Sequence, residues 1–567
     1  MCKARPELVL SPGARMRVAR LAALAAGAAA VGTTSRRSDA QASSAAHLSE
    51  SVTKDPRGGA VAFVPASSPA GHPGARLAFV QMLTRHGDRT SINPLPFETR
   101  DQWRGFLLSE EEQASLASRA APFPAPPGGL LDAWRVDADG QDTSWHGQLT
   151  KQGVAQLTHT GSALRAWLVE SGVLPSSRAA ALAAAAVKIR STGTRRTVQS
   201  AQAMMAGLYP ASNDDDDEIE RPFPIEVRDR FRESMFPNPG MACARQTELM
   251  RALDGDSLVR DAEARAWESE ALRAVRMEVH ERNVARRRSR ERREKEKAAE
   301  MAEAVEAPAG ASDAASGEGE SSAASVAEPS ASLRVAARDS QHAGAVSSSR
   351  LPSATSVWEP LQARLNHGLA LPVGVTSGDV RRIRKAAEVR YVNRATNAEG
   401  AALAGGRLLR ELAEESHDVL RDGKKSPRLS VFSGHDSSIL ALLAVLGAFP
   451  GEWPPVASTV LVETWLVDER VAGERVPGVG RPHWSERAAP LASRGGDADA
   501  DLTARPRGAK KAMVRVVFNG TVLPLAGCAG QEDAKKGGLC SLAAFRDMAR
   551  RRDPEDYRKA CEPRANL

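Results

Sequence analysis

Three short apolar runs constrain the fold of this chain more than any other feature. They are AFVQMLT (78–84), AAVKIRS (185–191) and LSVFSG (429–434), and polar or charged side chains follow each of them. The second and third lead into helical patterns, VQSAQAMMAGLY (198–209) and SSILALLAVLG (437–447). Continuous apolar runs that lead into helices are typical of parallel strands buried on both faces. The sequence therefore predicts an α/β fold with a central, mostly parallel sheet flanked by helices.

The polar clusters after these runs carry the candidate chemistry. RHGDR spans 85–89, TGTRRT spans 192–197, and a His-Asp pair occupies 435–436. Because ligands bind beyond the carboxyl ends of parallel strands, we expect the three clusters to converge. Several guanidinium groups directed at one point suit a phosphate, whose oxygens accept forked, charge-assisted hydrogen bonds. An imidazole nitrogen can attack phosphorus there while a carboxylic acid protonates the departing alkoxide.

The sequence indicates neither a metal nor a nucleic acid as a partner. It contains no GxxxxGK[ST] loop and no His, Cys or carboxylate cluster with evident metal-ligand spacing. Two basic segments, 1–41 and 286–297, account for more than the whole net charge of +7. The run at 286–297 is either a nucleic-acid or localisation patch or a solvated helix. Interleaved acids and the lack of an aromatic side chain for stacking favour the solvated helix.

Residues 1–45 are predicted to be a targeting segment. Arginines precede the small apolar run LAALAAGAAAVG (21–32), which favours a secretory signal and a lysosomal, vacuolar or extracellular location. An Arg- and Ser-rich mitochondrial transit peptide is the alternative. The run is too short to span a bilayer, and no other stretch is long and apolar enough, so we predict no transmembrane span.

Removal of the targeting segment leaves four cysteines at widely spread positions. An even number suits two disulfides in an oxidising compartment, and spacing alone leaves three pairings open. The cysteines are Cys243, Cys528, Cys540 and Cys561. Asn519 begins an Asn-Gly-Thr sequon and is a candidate glycosylation site.

Composition divides the rest of the chain into a core and two insertions. Residues 309–350 are rich in Ser, Ala, Gly and Glu and are expected to be disordered, whereas about 256–306 is charged and helix-prone. We therefore predict the following segments: the first part of the α/β core (75–213), a helical cap (214–255 and 351–400), a low-complexity insertion (256–350), and the second part of the core (401–567) with a loop insertion at 473–512.

The motifs RHGDRT (85–90), IRSTGTRRT (189–197) and GHD (434–436) together resemble the histidine acid phosphatase family, branch 2 of the histidine phosphatase superfamily. That family carries RHGxRxP near its N-terminus and His-Asp near its C-terminus. MFPNPGMACARQ (235–246) and LGAFPGEWPP (446–455) are most similar to the lysophosphatidic acid phosphatase type. The resemblance spans roughly 75–250 and 380–561, outside the central insertion.

The resemblance implies a phosphoglycerate-mutase-like sheet and metal-free, cofactor-free hydrolysis of small phosphomonoesters through a phosphohistidine intermediate. A lysophospholipid is then the first candidate substrate. A phytase or sugar-phosphate phosphatase of the same family, and a non-catalytic phosphate-binding protein, are the alternatives.

The resemblance also implies roles for single residues. His86 corresponds to the nucleophile and Asp436 to the proton donor. The family's proline after RHGxRx is Ser91 here, a change expected to loosen the loop. The disulfides implied are Cys243–Cys561 and Cys528–Cys540, and the implied phosphate-binding residues are Arg85, Arg89, Arg196 and His435.

Overall fold

The structure is a computed structural model. It describes residues 69, 72, 75–124, 143–210, 221–238, 242–306, 351–423, 426–468, 510–528 and 537–564. Three predicted segments lie outside the described residues: the targeting segment 1–45, the low-complexity stretch 309–350, and residues 473–509 of the loop insertion.

The described residues contain one nine-stranded sheet, which confirms the predicted α/β class. Its order is β2-β4-β3-β5-β1-β6-β7-β8, with β9 also paired to β7. The first five strands in this order are parallel, and the pairings from β1 onward are antiparallel. The strands are β1 (Arg76–Arg85), β2 (Ala120–Pro122), β3 (Val187–Ser191), β4 (Phe223–Val227), β5 (Leu429–Gly434), β6 (Thr459–Asp468), β7 (Lys510–Phe518), β8 (Thr521–Val522) and β9 (Cys540–Ser541).

Helices cover both faces of the sheet and form an additional layer beyond its carboxyl edge. They are α1 (Arg100–Trp103), α2 (Glu110–Ala117), α3 (Lys151–Glu170), α4 (Arg178–Ala183), α5 (Arg195–Leu208), α6 (Ala244–Asp254), α7 (Ser257–Ala266), α8 (Glu270–Glu306), α9 (Ala354–Asn366), α10 (Ser377–Thr396), α11 (Ala398–Asp422), α12 (Asp436–Val445), α13 (Leu542–Arg552) and α14 (Tyr557–Ala560).

The three apolar runs of the sequence are neighbouring strands at the centre of the sheet. Strand β5 lies between β3 and β1, and both pairings are parallel. Side chains of these strands alternate between two apolar layers. Met82 and Val431 face α3 and α5, whereas Leu83 and Phe432 face α11, α12 and α13. Because the register pairs Arg85 with Gly434 and Ser191 with Ser433, all three strands end at one edge.

The predicted loop insertion at 473–512 ends earlier than expected. Lys510 and Lys511 already belong to β7, where they pair with Asp468 and Val467 of β6. Polar side chains at a strand start give no apolar pattern. The backbone hydrogen bonds to β6 nevertheless continue the strand through them.

A third apolar cluster joins α7, the start of α8, α9 and α10, and we call these four elements the cap. Its buried members include Trp267, Leu272, Val275 and Val279. The predicted low-complexity insertion at 256–350 therefore begins too early, because residues 257–279 pack into the cap. The start of the insertion was predicted too early because, in this segment, many charged residues surround the few apolar residues at helical spacing.

The basic run of α8 extends past the cap. Its side chains are mostly exposed, and i,i+4 ion pairs such as Arg287–Glu291 and Arg290–Glu294 neutralise part of its charge. This arrangement agrees with the predicted solvated helix.

Two disulfides connect the described segments. Cys243 pairs with Cys561 across 318 residues of sequence, and Cys528 pairs with Cys540 across 12. These are the pairings that the family resemblance implied. Within the described residues, no helix has the length and apolarity needed to cross a membrane.

Candidate active site

The loop after β1 is built for close packing. The His86 N–H donates to the Gly434 carbonyl over 3.0 Å, and the His86 carbonyl accepts from Ala457 over 3.1 Å, so β5 and the 457 turn hold the loop from both sides. A Cβ on Gly87 would lie 2.4 Å from the Gly153 carbonyl oxygen in the first turn of α3. Only glycine permits this approach, which places His86 at the sheet edge.

The residues predicted for the site meet at this edge. Arg85 ends β1, Arg196 lies in the first turn of α5, and His435 and Asp436 begin α12. The Arg85 Nη2 to Asp436 Oδ2 distance is 3.0 Å, and the His86 and His435 ring centroids are 5.6 Å apart. The side chains of this cluster that are largely withdrawn from solvent are Arg85, His86, Arg89 and His435.

Hydrogen bonds define the tautomers of the two histidines. His86 Nδ1 is 2.8 Å from the Gly87 carbonyl oxygen, which only accepts, so Nδ1 carries the proton and Nε2 keeps its lone pair. An Arg196 guanidinium N–H donates to His435 Nδ1 over 3.3 Å, which leaves the His435 Nε2–H to donate to Thr192 Oγ1 over 3.0 Å. His86 therefore offers a free nitrogen, whereas both nitrogens of His435 are engaged.

Burial and positive charge keep both imidazoles neutral. Burial lowers the pKa of His86 well below its ordinary 6.5, and the charges of Arg196, Arg85 and Arg89 lower it further. The same causes, with Arg196 again the largest charge, depress the pKa of His435. Burial, followed by the charge of Arg89, lowers the pKa of Arg196 to about 9, so this guanidinium is still charged in acid. His86, the candidate nucleophile, thus stays unprotonated where most histidines are cations.

Opposing effects act on Asp436. Burial alone raises the pKa of this carboxyl, but the charges of Arg85 and Arg89 outweigh it, and the net pKa lies below the ordinary value. The Ser437 N–H also donates to Asp436 Oδ1 over 2.7 Å. Asp436 is therefore ionised before an anion binds. A phosphate dianion at the arginines raises the pKa of the carboxyl by like-charge repulsion and favours its protonated form.

The cap contributes contacts that the sequence did not reveal. Glu359 of α9 forms an ion pair with Arg89 and accepts the Ile92 N–H over 3.2 Å. Asn366 donates to Asp88 Oδ1 over 3.1 Å, and His367 Nε2 is 2.5 Å from Asp88 Oδ2. Nothing in the sequence around these residues signals these contacts, because their partners are about 270 residues away.

The loop at Ser91 is held by polar groups. The Ser91 carbonyl accepts from Gly147 over 2.9 Å, and its hydroxyl donates to Glu98 Oε1 over 3.3 Å. Glu98 is in turn paired with Arg364 of α9 at 3.1 Å, with both side chains almost fully buried. The cap thus anchors the loop at the position where the family has a proline, and the expected loosening stays a prediction.

Two further sequence candidates have clear surroundings. Asn519 lies in the turn between β7 and β8, where its Oδ1 accepts from Thr459 over 2.9 Å and its Nδ2 donates to Ser458 over 3.3 Å. A glycan on that nitrogen has to displace the Ser458 contact, and glycosylation stays a prediction. In the part of the chain that the structure describes, no group of three His, Cys, Asp or Glu side chains is arranged to hold a metal.

Replacing Arg196 with glutamine is expected to move the acid limb of the kcat/KM profile to higher pH. Arg196 is the largest charge acting on His86, so its removal lets the pKa of His86 rise, and acid then protonates the nucleophile earlier. The measurement is the pH dependence of kcat/KM for an aryl phosphate in both proteins. An unchanged acid limb, accompanied only by a higher KM, contradicts this assignment.

Buried arginines around an imidazole with a free nitrogen, beside a carboxyl, form an arrangement that suits phosphoryl transfer through histidine. Comparison with known proteins agrees. The model of the histidine phosphatase superfamily (branch 2) matches residues 76–265, which include Arg85, His86, Arg89 and Arg196. This match and the acid phosphatases described below identify the chain as a phosphatase of the histidine acid phosphatase type.

Several curated and solved proteins are similar to the chain. Human testicular acid phosphatase is 26% identical over 394 residues, covering 69% of this chain and 68% of that protein. Bovine lysophosphatidic acid phosphatase type 6 is 30% identical over 168 residues, covering 29% of this chain and 36% of that protein. The apo structure of Hafnia alvei phytase is 14% identical, covers 88% of this chain and 100% of its own, and has a TM-score of 0.43.

Proposed function

We propose that this phosphatase works in two steps with His86 as nucleophile. His86 Nε2 attacks phosphorus, the bond to the leaving oxygen breaks, and Asp436 transfers its proton to that oxygen. Water then attacks the phosphohistidine, gives its proton back to Asp436, and releases inorganic phosphate from Nε2. The observation that carries the proposal is the His86 tautomer, whose free Nε2 lies among buried arginines.

In this mechanism, the transferred phosphoryl group is bound by Arg85, Arg89, Arg196 and His435. Charge spreads over the equatorial oxygens in the transition state, and preformed guanidinium donors stabilise it without reorganising. The Thr192 contact fixes the orientation of His435, and the Pro454 carbonyl, 2.6 Å from Arg85 Nη1, fixes that of Arg85. These contacts support the phosphate-binding roles because they hold the donors in place before a substrate arrives.

For the substrate, we propose a phosphomonoester with an apolar chain, such as lysophosphatidate. Phe236 stacks on His435 with ring centroids 5.5 Å apart. Trp358 and Trp453, 4.9 Å apart, immediately precede Glu359 and Pro454, both of which contact the arginines. Phe236 thus borders the phosphate site, and Trp358 and Trp453 belong to the apolar cluster of the cap behind Glu359 and Pro454. The similarity to lysophosphatidic acid phosphatase type 6 supports the same class.

The test compares lysophosphatidate with glycerol 3-phosphate, which has the same head group without the acyl chain. We expect kcat/KM to be about tenfold or more higher for lysophosphatidate, since burial of even a few methylenes contributes that much. Phytate and a phosphotyrosine peptide are measured alongside. Equal rates for the two glycerol esters, or a preference for phytate, contradict the lipid proposal, and hydrolysis of none of them favours the non-catalytic phosphate-binding alternative.

We also propose that the protein enters the secretory pathway. The disulfides Cys243–Cys561 and Cys528–Cys540 support this location, because structural disulfides form in oxidising compartments. Bovine lysosomal acid phosphatase, 23% identical over 406 residues, is among the similar proteins. Fractionation of cells that produce the full chain distinguishes this location from mitochondria.

A further inference from the structure

A cap carboxylate lies among the phosphate-binding arginines. Glu359 pairs with Arg89 through Oε1, and its charge also acts on Arg196 and Arg85. Its side chain is about one-fifth exposed, as is that of Asp436, whereas Arg89 is 7% exposed. Two carboxylates from different parts of the fold thus neutralise part of the charge of this buried cationic site. Asp436 has a role in the proposed reaction, whereas Glu359 has none.

The surroundings of Glu359 show that its second oxygen is poorly satisfied. Oε1 is held by Arg89 and by the Ile92 N–H, but Oε2 is buried and has no hydrogen-bond partner within the described residues. An unsatisfied buried carboxylate oxygen is costly, so this contact is not optimised for stability. A carboxylate bound to a phosphate-binding guanidinium occupies N–H donors that an incoming phosphate needs.

We infer that Glu359 is a specificity-determining residue that competes with the phosphate group for Arg89. It weakens the binding of phosphate dianions, including the inorganic phosphate released after hydrolysis, and so prevents the buried arginines from retaining the product. A substrate therefore needs binding energy from its leaving group in order to displace Glu359. This inference rests on the proposed function of the same site, because it assigns the phosphate to Arg89.

The charge balance of the site gives the reason why Glu359 would compete with phosphate for the arginines. Three guanidiniums surround a neutral His86, and with Asp436 alone ionised the site carries two net positive charges, equal to the charge of a phosphate dianion. Such a site binds inorganic phosphate strongly, since charge-assisted hydrogen bonds to buried guanidiniums are among the strongest polar contacts. An ionised Glu359 reduces this excess by one charge.

The decisive variant is Glu359→Gln. Glutamine keeps the shape of the side chain, and its carbonyl oxygen still accepts from Arg89 and Ile92, so the loop contacts remain while the negative charge is removed. We expect inorganic phosphate to bind about tenfold or more tightly, since removal of one buried like charge exceeds the 1.4 kcal/mol that corresponds to a factor of ten. The KM for glycerol 3-phosphate should fall in parallel.

Glu263→Gln is the matched control. Glu263 is a part-buried carboxylate of the cap that accepts the Ala354 N–H at the start of the same helix, α9, and pairs with Arg390 at 2.7 Å. If loosening of α9 alone changed phosphate binding, both variants would show it. We expect the Glu263→Gln protein to bind phosphate within about twofold of the wild type, a difference of less than half a kcal/mol.

Phosphate binding is measured by calorimetry and by competitive inhibition of aryl phosphate hydrolysis. Calorimetry measures phosphate binding without turnover. A wild-type protein that binds phosphate but hydrolyses no ester refutes the proposed function, and the effect of Glu359→Gln on phosphate binding still tests this inference. Weaker or unchanged phosphate binding in Glu359→Gln overturns the inference. An equal gain in both variants also overturns it, because the effect then arises from the mobility of α9.

Discussion

Replacing His86 with alanine is expected to reduce the turnover of an alkyl phosphomonoester by about 10⁴-fold or more, as the loss of a catalytic nucleophile does in other hydrolases. Among the residues that the structure describes, no other imidazole nitrogen of this cluster is available to substitute. His435 is the nearest ring, but Arg196 occupies its Nδ1 and Thr192 its Nε2. Both contacts would have to break before His435 could attack phosphorus.

The measurement combines steady-state kcat with trapping of a labelled phosphoenzyme. Phosphohistidine is labile to acid and stable to base, and it should form in the wild type and be absent from the His86→Ala protein. His159→Ala is the control, because His159 is an exposed histidine on α3. Retained hydrolysis of the alkyl ester by a correctly folded His86→Ala protein refutes the mechanism.

Replacing Asp436 with asparagine should slow hydrolysis by an amount that depends on the leaving group. The single oxygen of asparagine can still accept the Ser437 N–H in the place of Oδ1, but the amide NH2 group then faces Arg85 in the place of Oδ2. The variant therefore keeps the contact at the helix start and loses both the ion pair with Arg85 and the transferable proton. For an alkyl ester, whose alkoxide needs that proton, we expect a loss of about 10²–10⁴-fold. An aryl ester with a stable leaving anion should transfer its phosphoryl group nearly as fast as in the wild type.

Burst kinetics separates the two steps. With a chromogenic aryl phosphate, the Asp436→Asn protein should release about one equivalent of phenolate quickly and then turn over slowly, because the water step has lost its general base. The His86→Ala protein should show no burst. Equal losses for alkyl and aryl esters in Asp436→Asn would mean that Asp436 only orients Arg85.

The acid range of activity follows from the same charges. His86 remains neutral below the ordinary histidine pKa because burial, and then Arg196, disfavour its cation. Asp436 has to be protonated in the substrate complex in order to give its proton away. Because the proposed reaction needs a neutral imidazole and a protonated carboxyl together, the useful pH window lies on the acid side of neutrality.

The sequence was sufficient for the parts of the site that are linked to strands. Strands β1, β3 and β5 are each recognisable from a few consecutive residues, because burial on both faces makes them continuously apolar. The residues that follow such strands must lie at one edge of a parallel sheet. Arg85, His86, His435 and Asp436 could therefore be assigned to one site from the sequence, and the family resemblance selected Arg196 among the arginines of 190–196.

The cap contacts could not be obtained in this way. Glu359 is a single polar residue on a helix of ordinary pattern, and His367 directly follows the end of that helix. Their partners Arg89 and Asp88 are some 270 residues earlier in the chain. The pairing of β7 with β6 and the packing of residues 257–279 in the cap were missed for a similar reason. In each case residues distant in the sequence provide the stabilising contact, and the segment itself shows little of the apolar periodicity that indicates a strand or a helix.

The sequence by itself thus determined which polar groups meet at the candidate site, since the histidines, the carboxylate and the arginines follow buried strands, and the family resemblance supplied their proposed roles. The tertiary structure alone decided how that chemistry is restrained. It placed Glu359 on Arg89 and anchored the loop at Ser91 through Glu98 and Arg364. The physical reason is that these contacts join side chains brought together only when the cap folds onto the sheet.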